Sequence, residues 1–179
     1  MESINPAPTD TAEARGLRTL GLLTRGMLHE VSNPLVALVG SAELALGGAE
    51  PGTKLHERIA LTHRTGVEIA EIVRALQGFV RMQGAAAAPI SLGEAAADAV
   101  ALVSLVMPTH DATLTASGDA TVRAAPGEVR GELVELLVDA LSQPRRPTEI
   151  ELAVGTEGGD AVVTATGGGE LRLPLELQP

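Results

Sequence analysis

Cysteine, tryptophan and tyrosine are absent from the 179 residues, and Phe79 is the single aromatic side chain. Without cysteine there is no disulfide, no thiolate metal site and no Cys nucleophile, which is compatible with a reducing cytosol. Without aromatics the core has to be built from Leu, Val, Ile and Ala, and base stacking has no platform. Basic residues are also scarce: 13 Lys and Arg stand against 23 Asp and Glu, for a formal charge of -10 and a pI near 4.8. Phosphate backbones are met by basic grooves, so no nucleic-acid partner is expected. The longest uncharged apolar stretches, Val31 to Ala42 and Ala99 to Met107, are shorter than the roughly 18 residues of a membrane span. Met1 to Arg15 has neither the basic start nor the apolar run of a signal peptide. The expectation is a soluble, cytoplasmic chain with no membrane partner.

Hydrophobic residues make up 45% of the chain, enough to bury a core despite the charge. The length suits one ordinary domain or two small ones. Residues 1–12, with Pro6 and Pro8, read as a flexible lead-in. From Glu13 to Leu46, Leu17, Leu20, Thr24, Met27 or Leu28, Val31, Leu35, Leu38, Ala42 and Ala45 step by three and four, the spacing of one long amphipathic helix. Gly47, Gly48, Pro51 and Gly52 end it. A second helix follows from about Thr53, its N-cap, to Gln83, with the stripe Leu55, Ile59, Thr62, Gly66, Ile69, Val73, Leu76 and Val80. Residues 13–84 thus form an antiparallel hairpin. Its near-heptad seams exceed what one partner helix can cover, and twofold pairing into a dimeric four-helix bundle is the expected solution.

Gly84 to Pro89, with its run of alanines, marks a boundary. Residues 90–179 mix periods: helices over Ser91 to Val106 (Ser91 as N-cap) and Pro126 to Ser142, and strands over Thr113 to Ala116, Ala120 to Ala124, Thr148 to Val154, Ala161 to Thr166 and Leu171 to Leu177. This second half reads as a small α/β sandwich.

The segment that carries chemistry is Met27-Leu28-His29-Glu30-Val31-Ser32-Asn33-Pro34-Leu35. His29 lies off the apolar seam and shares a face with Arg25 and Asn33, four residues to either side, and Glu30 is one position further round. A carboxylate that takes the proton of one imidazole nitrogen makes the other a better nucleophile. Pro34 removes the N–H that would bond the Glu30 carbonyl and should bend the helix just beyond the histidine. His56, His63 and His110 have no such company and read as ordinary surface residues.

HEVSNPL resembles the phosphoacceptor box of bacterial two-component histidine kinases, the pattern His-Glu-apolar-x-Asn-Pro-Leu on the first of two long helices, and the resemblance covers about Arg15 to Gln83. It implies that His29 is phosphorylated on a ring nitrogen, that Glu30 accepts a proton, and that Asn33 serves where water removes phosphate from a partner aspartate. The second half resembles that family's ATP-binding domain in reduced form. Glu135 and Asp139 stand where asparagines are expected, Ala165 replaces the aspartate that reads the adenine, and no room follows Gly169 for a lid. Gly167 to Gly169 reads as a hairpin turn, since a phosphate cradle needs a helix N-terminus directly after it. Asp139 alone is a weak magnesium ligand, and Arg145 and Arg146 at a helix end serve the helix dipole.

The leading expectation is therefore a histidine phosphotransferase of a phosphorelay, without ATP-dependent kinase activity, that carries a phosphoryl group on His29 between receiver-domain aspartates. It is expected to be a homodimer that binds response-regulator receiver domains and an upstream histidine kinase. It would hold no cofactor tightly, with Mg²⁺ supplied by the receiver. The alternatives are a non-catalytic pseudokinase-like scaffold and a divergent ATP-dependent kinase.

Overall fold

The structure is a computed structural model that describes residues 12–107, 109, 112–145 and 147–175, with side chains described from residue 23 onward. The expected lead-in, His110, Arg146 and the last residues of the closing strand lie outside the described residues, as do the side chains of Leu17 and Leu20. The fold is mixed α/β, with four helices and two small sheets among the described residues. The chain divides into two compact units, Met1–Val80 and Arg81–Pro179.

The first unit is a helical hairpin. Helix α1 spans Ala12–Gly48 and helix α2 spans Lys54–Met82. Between them Gly52 takes the positive φ of 81° that the reversal needs. Thr53 caps α2: its hydroxyl accepts the His56 amide at 3.2 Å and donates to the Glu50 carbonyl at 2.8 Å, which satisfies a donor that has no intrahelical partner. Leu35, Ala70 and Val73 form the buried seam, with Leu28 and Val39 packed against it.

The single stripe expected on each helix resolves into two. Leu28, Leu35, Val39 and Ala42 of α1 turn toward Ile59, Gly66, Ala70 and Val73 of α2. Leu23, Met27, Val31 and Leu38, and on α2 Leu55 and Ile69, are exposed. α1 stays continuous across Pro34, whose position is exposed, so water can reach the carbonyl that proline leaves unbonded. Within α1, Leu23–Gly48 is long and apolar enough to cross a membrane by length and composition, at a mean hydropathy of 1.2. This corrects the expectation that no segment reaches that length, which counted only uncharged runs and so stopped at Glu30 and Glu43. The buried core helix of a soluble protein and an N-terminal signal sequence pass the same measure.

In the second unit, helix α3 (Leu92–Val106) and helix α4 (Pro126–Ser142) cover one face of a four-stranded sheet. The strands are β2 (Thr113–Ser117), β4 (Glu149–Glu157), β5 (Asp160–Ala165) and β6 (Glu170–Pro174), in the order β2-β4-β5-β6. β2 and β4 run parallel and the other pairs antiparallel. Alternation puts Ile150, Leu152 and Val154 of β4 and Ala161, Val163 and Ala165 of β5 into the core. They meet Leu92, Ala95, Ala96, Ala99 and Val103 of α3 and Val129, Leu133, Leu137, Ala140 and Leu141 of α4. Alanine on α3 lets that helix sit close to the sheet, so the core closes without aromatic side chains.

A second sheet was missed in the sequence. β1 (Ala88–Ser91) pairs antiparallel with β3 (Thr121–Ala124), so the segment taken as a boundary already contributes its last residues to a strand. Ser91 then caps α3, accepting the Glu94 amide at 3.0 Å. Asp119 completes the cap by accepting the Ser91 hydroxyl and the Gly93 amide, both at 2.8 Å. Those two bonds, the Gly93 amide first, hold its carboxyl below the usual carboxylate value.

Candidate functional site

His29 sits in the interior of α1, exposed beside the face that meets α2. Arg25, His29 and Asn33 are all exposed, each one turn from the next, and Val36 extends the same line with 64% of its surface open. Glu30, also exposed, lies to one side. The structure thus brings His29, Glu30 and Asn33 together on one helical segment. Among the described residues it does not join His29 to Glu30 by a hydrogen bond, so the tautomer of the free imidazole is not fixed by that carboxylate.

The segment is fixed from behind. Leu28 packs on the hairpin seam with Leu35 and Val39, which orients the next residue outward. The side-chain amide of Gln77 on α2 donates to the Leu28 carbonyl at 3.0 Å. Sequence reasoning missed Gln77, although it follows Val73 by four residues and so lies on the face of α2 that meets α1.

Between α1 and α2, a groove of about 290 Å³ is lined by Leu38, Ala42, Ala45, Arg58, Ile59 and Thr62. His56 and His63 are half-buried on α2, away from His29 along the chain. No cluster of three or more His, Asp or Glu suited to a metal ion occurs among the described residues.

In the second unit, Gly167 to Gly169 forms the turn between β5 and β6, as expected, and a strand rather than a helix follows it. Gly167 has φ of 73°, the Gly168 amide donates to the Ala165 carbonyl at 3.0 Å, and the Ala165 amide donates to the Gly169 carbonyl at 3.1 Å. The turn lies directly on α4. A Cβ built on Gly168 would stand 3.1 Å from Ala165 Cβ and 3.6 Å from Ala140 Cβ, and one on Gly169 would stand 3.3 Å from Leu136 Cδ2. Ala165 is buried, whereas Glu135 and Asp139 are exposed on the outer face of α4. Arg145 is exposed just past the end of that helix.

No family model matches the chain, and no curated protein matches it. Among solved structures it is similar to full-length ShkA in complex with AMPPNP, at 18% identity and a TM-score of 0.46. The match covers 81% of this chain and 33% of that one, so the chain spans about a third of that protein's length.

Proposed function

We propose that this protein is a histidine phosphotransferase of two-component signalling, with His29 as the phosphoryl carrier. The observation that carries the reading is the placement of the HEVSNPL segment: His29 and Asn33 stand one turn apart on an open helical face, backed by a seam that holds Leu28 and Leu35 inward. A phosphorylated aspartate of a receiver domain can approach such a face without rearrangement of the hairpin.

In the proposed step the lone pair of an imidazole nitrogen attacks phosphorus, the P–O bond to the aspartate breaks to return a carboxylate, and a P–N bond forms. The proton on the other ring nitrogen is taken up by Glu30 or by water. Transfer to a second receiver reverses these events. Such chemistry depends mainly on positioning and charge stabilisation, and Mg²⁺ in the receiver's own acidic site supplies the latter. Asn33 orients water when the outcome is hydrolysis of the aspartyl phosphate.

The second unit, in this reading, is a docking surface and not a nucleotide site. Ala165 offers no carboxylate to a nucleobase, and the turn at Gly167 to Gly169 rests on α4 through Ala140 and Leu136, where a phosphate chain would need open space. The exposed apolar side chains of α1 and α2, Leu38 among them in a groove between the helices, fit a second copy of the hairpin and a dimeric four-helix bundle.

The test is label transfer from a phosphorylated receiver domain to wild type and His29→Ala, with an ATP-only control. Acid-labile, base-stable label on wild type alone is the expected result. Label from ATP favours a kinase, and no label from any of several receivers favours a scaffold.

A further inference from the structure

We infer that Gln77 is a positioning residue for His29, a bolt from α2 that holds the backbone of the histidine-bearing turn. The inference rests on the reading of His29 as the reactive group and adds to it a residue 48 positions away in sequence.

The turn from Leu28 to Pro34 has a built-in weakness. In an α-helix each amide bonds the carbonyl four residues back, and Pro34 has no amide to offer the Glu30 carbonyl. That carbonyl belongs to the residue next to His29, so the rung missing from the helix lies at the reactive position. The hairpin supplies a bond one rung earlier: Gln77 donates to the Leu28 carbonyl at 3.0 Å, the same oxygen that serves as the helical acceptor for the Ser32 amide. A carbonyl has two lone pairs and can accept both.

The bond is partly buried and sits at the end of the packed seam formed by Gly66, Ala70 and Val73. Apolar contacts along that seam are non-directional and leave α1 some freedom to slide or rotate. A hydrogen bond to one named carbonyl removes that freedom at the rung preceding His29. Its consequence is a fixed axial position and azimuth for the imidazole, which phosphoryl transfer needs because misplacement of a reacting atom by about 1 Å can cost about a hundredfold in rate.

The experiment compares full-length wild type with Gln77→Met, which keeps length and helix propensity but cannot donate, and with Gln77→Lys, which restores a donor on a flexible stem. Two readouts are taken. Amide hydrogen exchange at Ser32 is expected to quicken about fivefold in Gln77→Met, the effect of one net hydrogen bond, with amides near Ala42 unchanged. Transfer from a phosphorylated receiver is expected to show a fall in kcat of about tenfold with KM unchanged, and Gln77→Lys is expected to recover most of both.

Unchanged exchange at Ser32 in Gln77→Met overturns the bolt, as does a loss of kcat that Gln77→Lys fails to recover. If wild type accepts no phosphoryl group, the reading of His29 falls instead, and the exchange data still decide whether Gln77 holds the turn.

Discussion

Gly66 and Val39 meet so closely across the hairpin that a Cβ on the glycine would stand 2.9 Å from Val39 Cγ2. Glycine inside a helix ordinarily costs about 1 kcal/mol against alanine, and here the missing side chain is what lets the two helices approach. Gly66→Leu is therefore expected to lower stability by about 1–3 kcal/mol through overpacking. Gly131 on α4 has nothing within 4 Å of its would-be Cβ, so Gly131→Ala is expected to raise stability by about 0.5–1 kcal/mol. Urea titration of the two variants against wild type checks both signs.

The exposed seams predict self-association. Leu38 is half exposed, Leu55 and Ile69 are open on α2, and Leu38 lines the groove between the helices. Sedimentation equilibrium is expected to give twice the chain mass for wild type and the chain mass for Leu38→Glu, with helical circular dichroism retained. A wild type that sediments as a monomer at all concentrations removes the bundle.

At the histidine, His29→Ala is expected to take no label from a phosphorylated receiver. Asn33→Ala is expected to accept label but to clear aspartyl phosphate more slowly, by about 100-fold if the amide is what aligns the water. Rapid-quench measurements of phosphohistidine and of released phosphate, run in parallel, separate the two.

Acid should weaken the cap of α3 in a defined direction. The Asp119 carboxyl is held below its usual value by the Gly93 amide and the Ser91 hydroxyl, so its contribution is present above the unfolded pKa of about 3.9 and is lost as pH falls through the lower folded value. Asp119→Asn can still accept one amide and carries no titrating charge. Thermal unfolding from pH 5 down to pH 2 is expected to show a steeper loss for wild type than for Asp119→Asn. Parallel curves would mean that the carboxylate contributes nothing to the cap's pH dependence.

The helices were legible because their signals are local. Thr53 and Ser91 cap where a hydroxyl precedes an apolar period, and Gly52 turns where a positive φ is needed. β1 was not legible, because Ala88–Ser91 gains its ladder from Thr121–Ala124, far along the chain, and its own alanines carry no strand signal. Periodicity also blended the two seams of α1. Steps of three and four describe Leu35 and Leu38 equally well, yet Leu35 is buried on α2 and Leu38 is open, and only the partner helix separates them. The motif singled out His29, Glu30 and Asn33 as candidates, whereas period alone puts Gln77 on the inner face of α2 without naming its partner, a backbone carbonyl identical in every residue type.

The reversal of the chain at residues 49–53 begins about 20 residues beyond His29, or about 30 Å at the helical rise. Its tip is exposed at Gly48, Glu50, Pro51 and Gly52, and Gly52 contacts nothing that a side chain there would meet. That end of the hairpin is a handle. A fluorophore or a short affinity peptide grafted between Pro51 and Thr53 would let single molecules be tethered and watched while His29, more than five turns away, stays exposed.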